Sequence, residues 1–203
     1  IIALAQAPLD GPHLTRLREA TAAPLAFWLV EDFRHFSYVA EVAPAYDALF
    51  HIQQGALDKT LRDWGLSRSA YLPLAADPLL FKPLPAEDIP VTYRAQLSFM
   101  GAGYPNRRRL LGRLAESYWP ATGREHGQFK IFGSGWEGIG GPLRRHLLEG
   151  GPRVSLPEGA LIYAGGRINV NIHYSFHSQP AFEPERLFVT HRPFAIAAAG
   201  AFQ

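Results

Sequence analysis

The sequence predicts an α/β protein of two lobes, each built on a parallel sheet. Three observations predict it. Apolar runs of strand length alternate with amphipathic helical stretches, as in a parallel sheet covered on both faces. The alternation occurs twice along the chain. Between the two passages lies a proline-rich stretch, with four prolines in the nineteen residues from Ala75 to Tyr93.

Taken in order, "IIALAQ" and "PLAFWLV" are strand-length apolar runs. Between them "HLTRLREAT" places Leu14 and Leu17 on one helical face. "YDALFHI" predicts a third strand. "GALDKTLRDWGL" then predicts a helix, with Leu57, Leu61 and Trp64 at helical spacing and Gly65 as its stop. "SAYLPL" is a further strand. After the proline-rich stretch, "AQLSFMG" restarts the pattern, and "NRRRLLGRLAESYW" predicts a helix capped by Asn106, with Leu110, Leu111, Leu114 and Tyr118 apolar. "FKIFGSGW" reads as strand and glycine turn, "GPLRRHLLEG" as a short helix and "RVSL" as a strand. "PEGALIYAGG" is a helix behind Pro157, "RINVNIHY" a strand, and "RPFAIAAAG" a last helix between Pro193 and Gly200. The expected domains are 1–78, a linker over 79–93, and 94–203.

Composition narrows the function. The 203 residues, 47% hydrophobic, suffice for one sizeable core or two small ones. No apolar run approaches the roughly 18–20 residues of a membrane span, so no transmembrane segment is expected and a cytoplasmic location is. The opening lacks the basic region of a signal peptide. A start without Met and an end at Gln203 lead us to expect both lobes to be incomplete at their outer ends. Without cysteine, thiol chemistry and cysteine metal sites are excluded. Only three of the 20 basic residues are lysine (Lys59, Lys82, Lys130). An arginine bias suits phosphate recognition, or simply records a GC-rich genome. The net charge of +2 and the lack of a recognition motif give no support to a nucleic-acid partner.

In open parallel sheets ligands bind beyond the carboxyl ends of the strands, so the residues after each strand are the candidates. After "LSFM", Gly101 and Gly103 allow a tight turn, and Arg107 and Arg108 sit in the first turn of the next helix. Cations there oppose the helix dipole, which makes sense if a phosphate neutralises them; a solvated strand-to-helix turn is the alternative. After "KIF", Gly133 and Gly135 precede Trp136, which either stacks on a base or sugar or anchors the core. In "RINVNIHY", Ile168, Val170 and Ile172 share one face and Asn169, Asn171 and His173 the other. Those polar groups either bridge neighbouring loops or, for Asn171 and His173, reach a polar ligand. His173 and His177 are four apart, a metal-binding spacing only on a helix, so no metal site is expected. In the first lobe, "EDFRHF" offers Asp32 and His35 as a general base, or as an ordinary solvated loop. Thr190, His191 and Arg192 precede Pro193 at the start of the last helix, a second construction suited to an anion.

These phrases, together with "FWLVEDFRHFSY", "YLPLAADPLLFKP", "LSFMGAGYPNRRRLL", "IYAGGRINVNIH" and "HRPFAIAAAGAFQ", resemble the CgeB-like glycosyltransferases of bacteria over nearly the whole chain. The resemblance implies two Rossmann-like lobes of the glycosyltransferase B type. It further implies a nucleoside-diphosphate sugar donor held mainly by the second lobe, a carbohydrate, protein or lipid-linked hydroxyl acceptor held mainly by the first, and no essential metal or other cofactor. The positions matching the family's donor-lobe motifs are Gly101, Gly103, Arg107, Gly133, Gly135, Trp136, Asn171, His173 and Arg192. One departure stands out: many relatives carry a glutamate where Ala195 stands here. That leaves a non-catalytic nucleotide- or sugar-binding module of the same fold as the rival expectation.

Overall fold

The computed structural model describes residues 2–4, 9, 11–31, 33, 38–66, 68–122, 129–148, 153–172 and 189–203. Described residues up to Leu74, with Val189, form one compact unit; the others, from Ala75 on, form a second.

In the first unit, β1 (Ile2–Leu4), α1 (Gly11–Ala20), β2 (Ala26–Leu29), α2 (Val39–Val42), β3 (Ala48–His51), α3 (Ala56–Asp63) and β4 (Ser69–Tyr71) follow in order. The strands are parallel and lie in the order β1-β2-β3-β4. Phe27, Leu29 and Leu49 face the core, covered by Leu14 from α1 and by Leu57 and Leu61 from α3. Burial of each such side chain contributes about 1.5–3 kcal/mol. The "YDALFHI" strand is shorter than expected, because Asp47 is used as a clamp at its start. Its carboxylate accepts from the Leu25 amide at 2.7 Å and pairs with Arg18 at 2.9 Å, and its own amide donates to the Leu25 carbonyl. The sequence reading has no counterpart for α2.

The second unit runs β5 (Ala95–Met100), α4 (Pro105–Thr122), β6 (Phe129–Phe132), a 3-10 turn over Gly141–His146, α5 (Leu156–Gly165), β7 (Gly166–Val170) and α6 (His191–Ala198). Its parallel strands lie in the order β6-β5-β7. Single bridges extend the sheet on both sides, Leu147 beside Ile131 and Phe202 beside Ile168. The chain thus winds from β5 outward through β6, then crosses back over β5 to β7. The reversal lies between β5 and β7, the kind of point beyond whose carboxyl ends open parallel sheets bind ligands.

Several expectations are corrected here. "GPLRRHLLEG" contains a 3-10 turn, and residues 153–155 of "RVSL" form no strand. Ser155 instead caps α5: its hydroxyl accepts from the Glu158 amide, and the Glu158 carboxylate accepts from the Ser155 amide and hydroxyl. Asn106 lies inside α4, which starts at Pro105, and Leu110 is exposed while Leu111 and Ala115 are buried. The proline-rich stretch packs on the second unit. Phe81 joins a cluster with Tyr163 and Ala195, and Ile89 is buried.

Both faces of β7 are engaged: Val170 and Ile172 pack against the cluster of Phe99 and Leu111, and Asn169 on the polar face finds partners as expected. Ile168 is 44% exposed, whereas Asn169 is buried. The Asn169 amide accepts from the Ser98 hydroxyl at 2.6 Å and donates to the carbonyls of Tyr163 and Gly166. A buried amide with its partners made is tolerated, and this one ties β7 to β5 and α5.

Candidate functional site

The loops after β5 and β6 are knitted together. Gly101 and Gly103 donate their amides to Phe132 and Ser134, each at 2.9 Å. Arg108 donates to the carbonyls of Gly103, at 2.6 Å, and Gly135. A side chain on Gly133 would start 2.6 Å from the Gly101 carbonyl oxygen, and Gly133 has φ near +117°. The glycines therefore serve a close approach of one loop to the other. Trp136 is buried edge-on to Phe99, and its indole N–H donates to the Gly101 carbonyl at 3.0 Å. Its place is beneath the loops, where it fixes the Gly101 carbonyl.

Two arginines converge above this frame. At the point where a Gly101 side chain would begin, Nη1 of Arg107 is 3.2 Å away and Nη2 of Arg192 is 3.4 Å away. Arg107 is only 2% exposed. It donates to the carbonyls of Ile172 (3.0 Å) and Ala102 (3.1 Å), and its guanidinium lies over the rings of Phe99 and Tyr104. These contacts account for two arginines in the first turn of α4: Arg107 and Arg108 both reach back to loop carbonyls. Arg192 differs. It is half-buried at the start of α6, and no carbonyl or carboxylate among the described residues accepts from it.

Around the same reversal, three buried polar groups lack a well-formed hydrogen bond among the described residues: the Tyr163 hydroxyl, Oδ1 of Asn171 and Oγ1 of Thr190. Thr190 is the N-cap of α6 yet makes no side-chain cap bond. Asn171 directly follows β7, beside Ile172, whose carbonyl Arg107 holds. Burial pushes the Tyr163 phenol up, and Arg192, through its charge and as a hydrogen-bond donor to the phenol oxygen, and the charge of Arg107 work against that shift. Two guanidinium groups, the free amides of a helix start and a phenol can together hold an oxyanion.

Of the residues expected at the site, Gly101, Gly103, Arg107, Gly133, Gly135, Trp136, Asn171 and Arg192 lie at the carboxyl ends of the second unit's strands or in the elements that follow them. His173, Asp32 and His35 lie outside the described residues. Tyr163 went unnoticed, because an aromatic within "ALIYAGG" reads as core. Ala195 is fully buried against the cluster of Phe81, Ala160 and Tyr163, so a carboxylate at that position would enter the core. A cavity of about 190 Å³ lies elsewhere, at the amino end of β3 beside Asp47 and Arg68. Its one carboxylate, Asp47, is already committed to Arg18 and the Leu25 amide. Among the described residues no three His, Asp or Glu side chains gather as a metal site, and no helix is long and apolar enough to cross a membrane. No family model matches the chain, and neither does any curated protein or solved structure.

Proposed function

We propose that the chain is a glycosyltransferase of the glycosyltransferase B type, taking a nucleoside-diphosphate sugar as donor and a hydroxyl as acceptor. The observation that carries this reading is the convergence of Arg107 and Arg192 on Gly101, at the reversal of strand order and beside the start of α6. In transfer, the bond from the sugar's anomeric carbon to the diphosphate breaks and one to the acceptor oxygen forms. The leaving diphosphate takes the bonding electrons, and a base takes the acceptor proton. Arg192, Arg107 and the α6 amides stabilise the charge that develops on the diphosphate. Asp32 and His35 are the proposed bases.

Calorimetry with a panel of nucleoside diphosphates tests the reading. Arg192→Ala is expected to weaken nucleotide binding by about ten- to a hundredfold, the range for a lost hydrogen bond to a charged group. Unchanged affinity would remove the phosphate assignment. The buried Ala195 favours one second reading, a non-catalytic nucleotide- or sugar-binding module, because it leaves no carboxylate at that position. Tight nucleotide binding without donor hydrolysis or transfer would decide for the module.

A further inference from the structure

We propose that the Tyr163 hydroxyl is itself a ligand group, donating a hydrogen bond to the same oxyanion that Arg192 holds. The inference rests on the phosphate reading above and adds to it a residue from a different element, α5. Tyr163 is 2% exposed, packed among Phe81, Ala160, Ala195 and Ile196. Its ring fills the space between α5 and α6, a task that phenylalanine would do equally well. Yet the side chain carries a hydroxyl, and among the described residues nothing accepts a hydrogen bond from it; Arg192 acts on its oxygen only as a donor. A buried O–H without an acceptor destabilises the free protein, so its presence is explained if an acceptor arrives.

The surroundings say what kind of partner. The groups that act on the Tyr163 phenol are the cations Arg192 and Arg107. Neither can accept a hydrogen bond, so neither satisfies the hydroxyl as a donor. An oxyanion satisfies all of them together: it accepts from the phenol and pairs with the guanidinium groups. The phenol's raised pKa keeps its proton in place for donation through neutral pH. Thr190, at the α6 N-cap two residues before Arg192, likewise has an Oγ1 without a hydrogen bond among the described residues.

The test is Tyr163→Phe in the full chain, with inorganic pyrophosphate as probe. Thermal melts without ligand and calorimetry with pyrophosphate are compared for wild type, Tyr163→Phe and Arg192→Ala. The expected result is a free-protein Tm that stays equal or rises in Tyr163→Phe, with pyrophosphate affinity falling about tenfold. Wild-type affinity in Tyr163→Phe would overturn the proposal. So would a lower free-protein Tm, which would mean that the hydroxyl already has a partner such as a bound water. The two readings fail separately. Loss of binding in Arg192→Ala but not in Tyr163→Phe sinks the tyrosine alone. Full binding in both variants, or none in wild type, removes the phosphate site as well.

Discussion

The two units share one pattern of strand and helix but spend their polar groups differently. In the first, the described strands follow each other in one direction, β1-β2-β3-β4. Its notable polar groups pair with each other: Asp47 with Arg18 and Leu25, and the Gln53 side chain with the Phe33 amide while its carbonyl meets His51. In the second, the order reverses at β5, and two arginines and three unpartnered polar atoms lie around that reversal. The proposed site thus needs more than parallel strands. A reversal of strand order is where open parallel sheets bind ligands, and here it carries polar groups left unsatisfied among the described residues.

The largest expected effect sets the glycines of the two units against each other. Gly65, which ends α3, has φ near +75° and open space where a side chain would go. Gly65→Ala should cost about 1 kcal/mol for the left-handed backbone alone. Gly133→Ala adds a collision with the Gly101 carbonyl, so its cost should reach about 3 kcal/mol or more. Denaturant unfolding measures both. Equal losses would show that the loops after β5 and β6 are not held as closely as their geometry indicates.

Next in size is the buried amide of β7. Asn169→Ala strips the Ser98 hydroxyl of its acceptor and frees two carbonyls, with an expected loss of about 2 kcal/mol. Ser98→Ala in that background should cost less than in wild type, because the orphaned hydroxyl is then gone. Additive losses would show that the pair does not act as a unit.

How legible this was in the sequence follows from the kind of signal. Apolar periodicity located every strand of both sheets except the false one at "RVSL", where short range won: a Ser155–Glu158 capping box claimed the segment for α5. The alternating pattern of β7 was visible, and so was the need of its amides for partners, but not the identity of those partners. Period alone cannot tell that Asn169 will find Ser98 on a strand 71 residues earlier. The glycine-rich loops were legible as sites of close approach, but not that each approaches the other loop. Arg107 and Arg192 stood out because charge at a helix start is unusual. Tyr163 did not, since an orphaned hydroxyl is a property of its surroundings, and those come from four separate elements.

The smallest effect tests how the satisfied unit holds its clamp. The Arg18 hydrogen bond, then the Leu25 amide, keeps the Asp47 carboxyl below the ordinary aspartate range. A depressed carboxyl contributes stability above its unfolded pKa and loses it as pH falls through its folded one. The pair is solvent-exposed, so the contribution is small. Asp47→Asn should therefore leave Tm nearly unchanged at neutral pH and slightly flatten its decline below about pH 4. Glu158 is depressed in the same direction by its bonds to Ser155, so Glu158→Gln should flatten the decline over a similar range. The two changes act on different units and share no partner, which predicts that their effects on the acid slope add. A double variant no flatter than either single one would mean that only one of the two carboxylates changes its protonation on acid unfolding, and that the clamp at β3 is not an independent electrostatic contact.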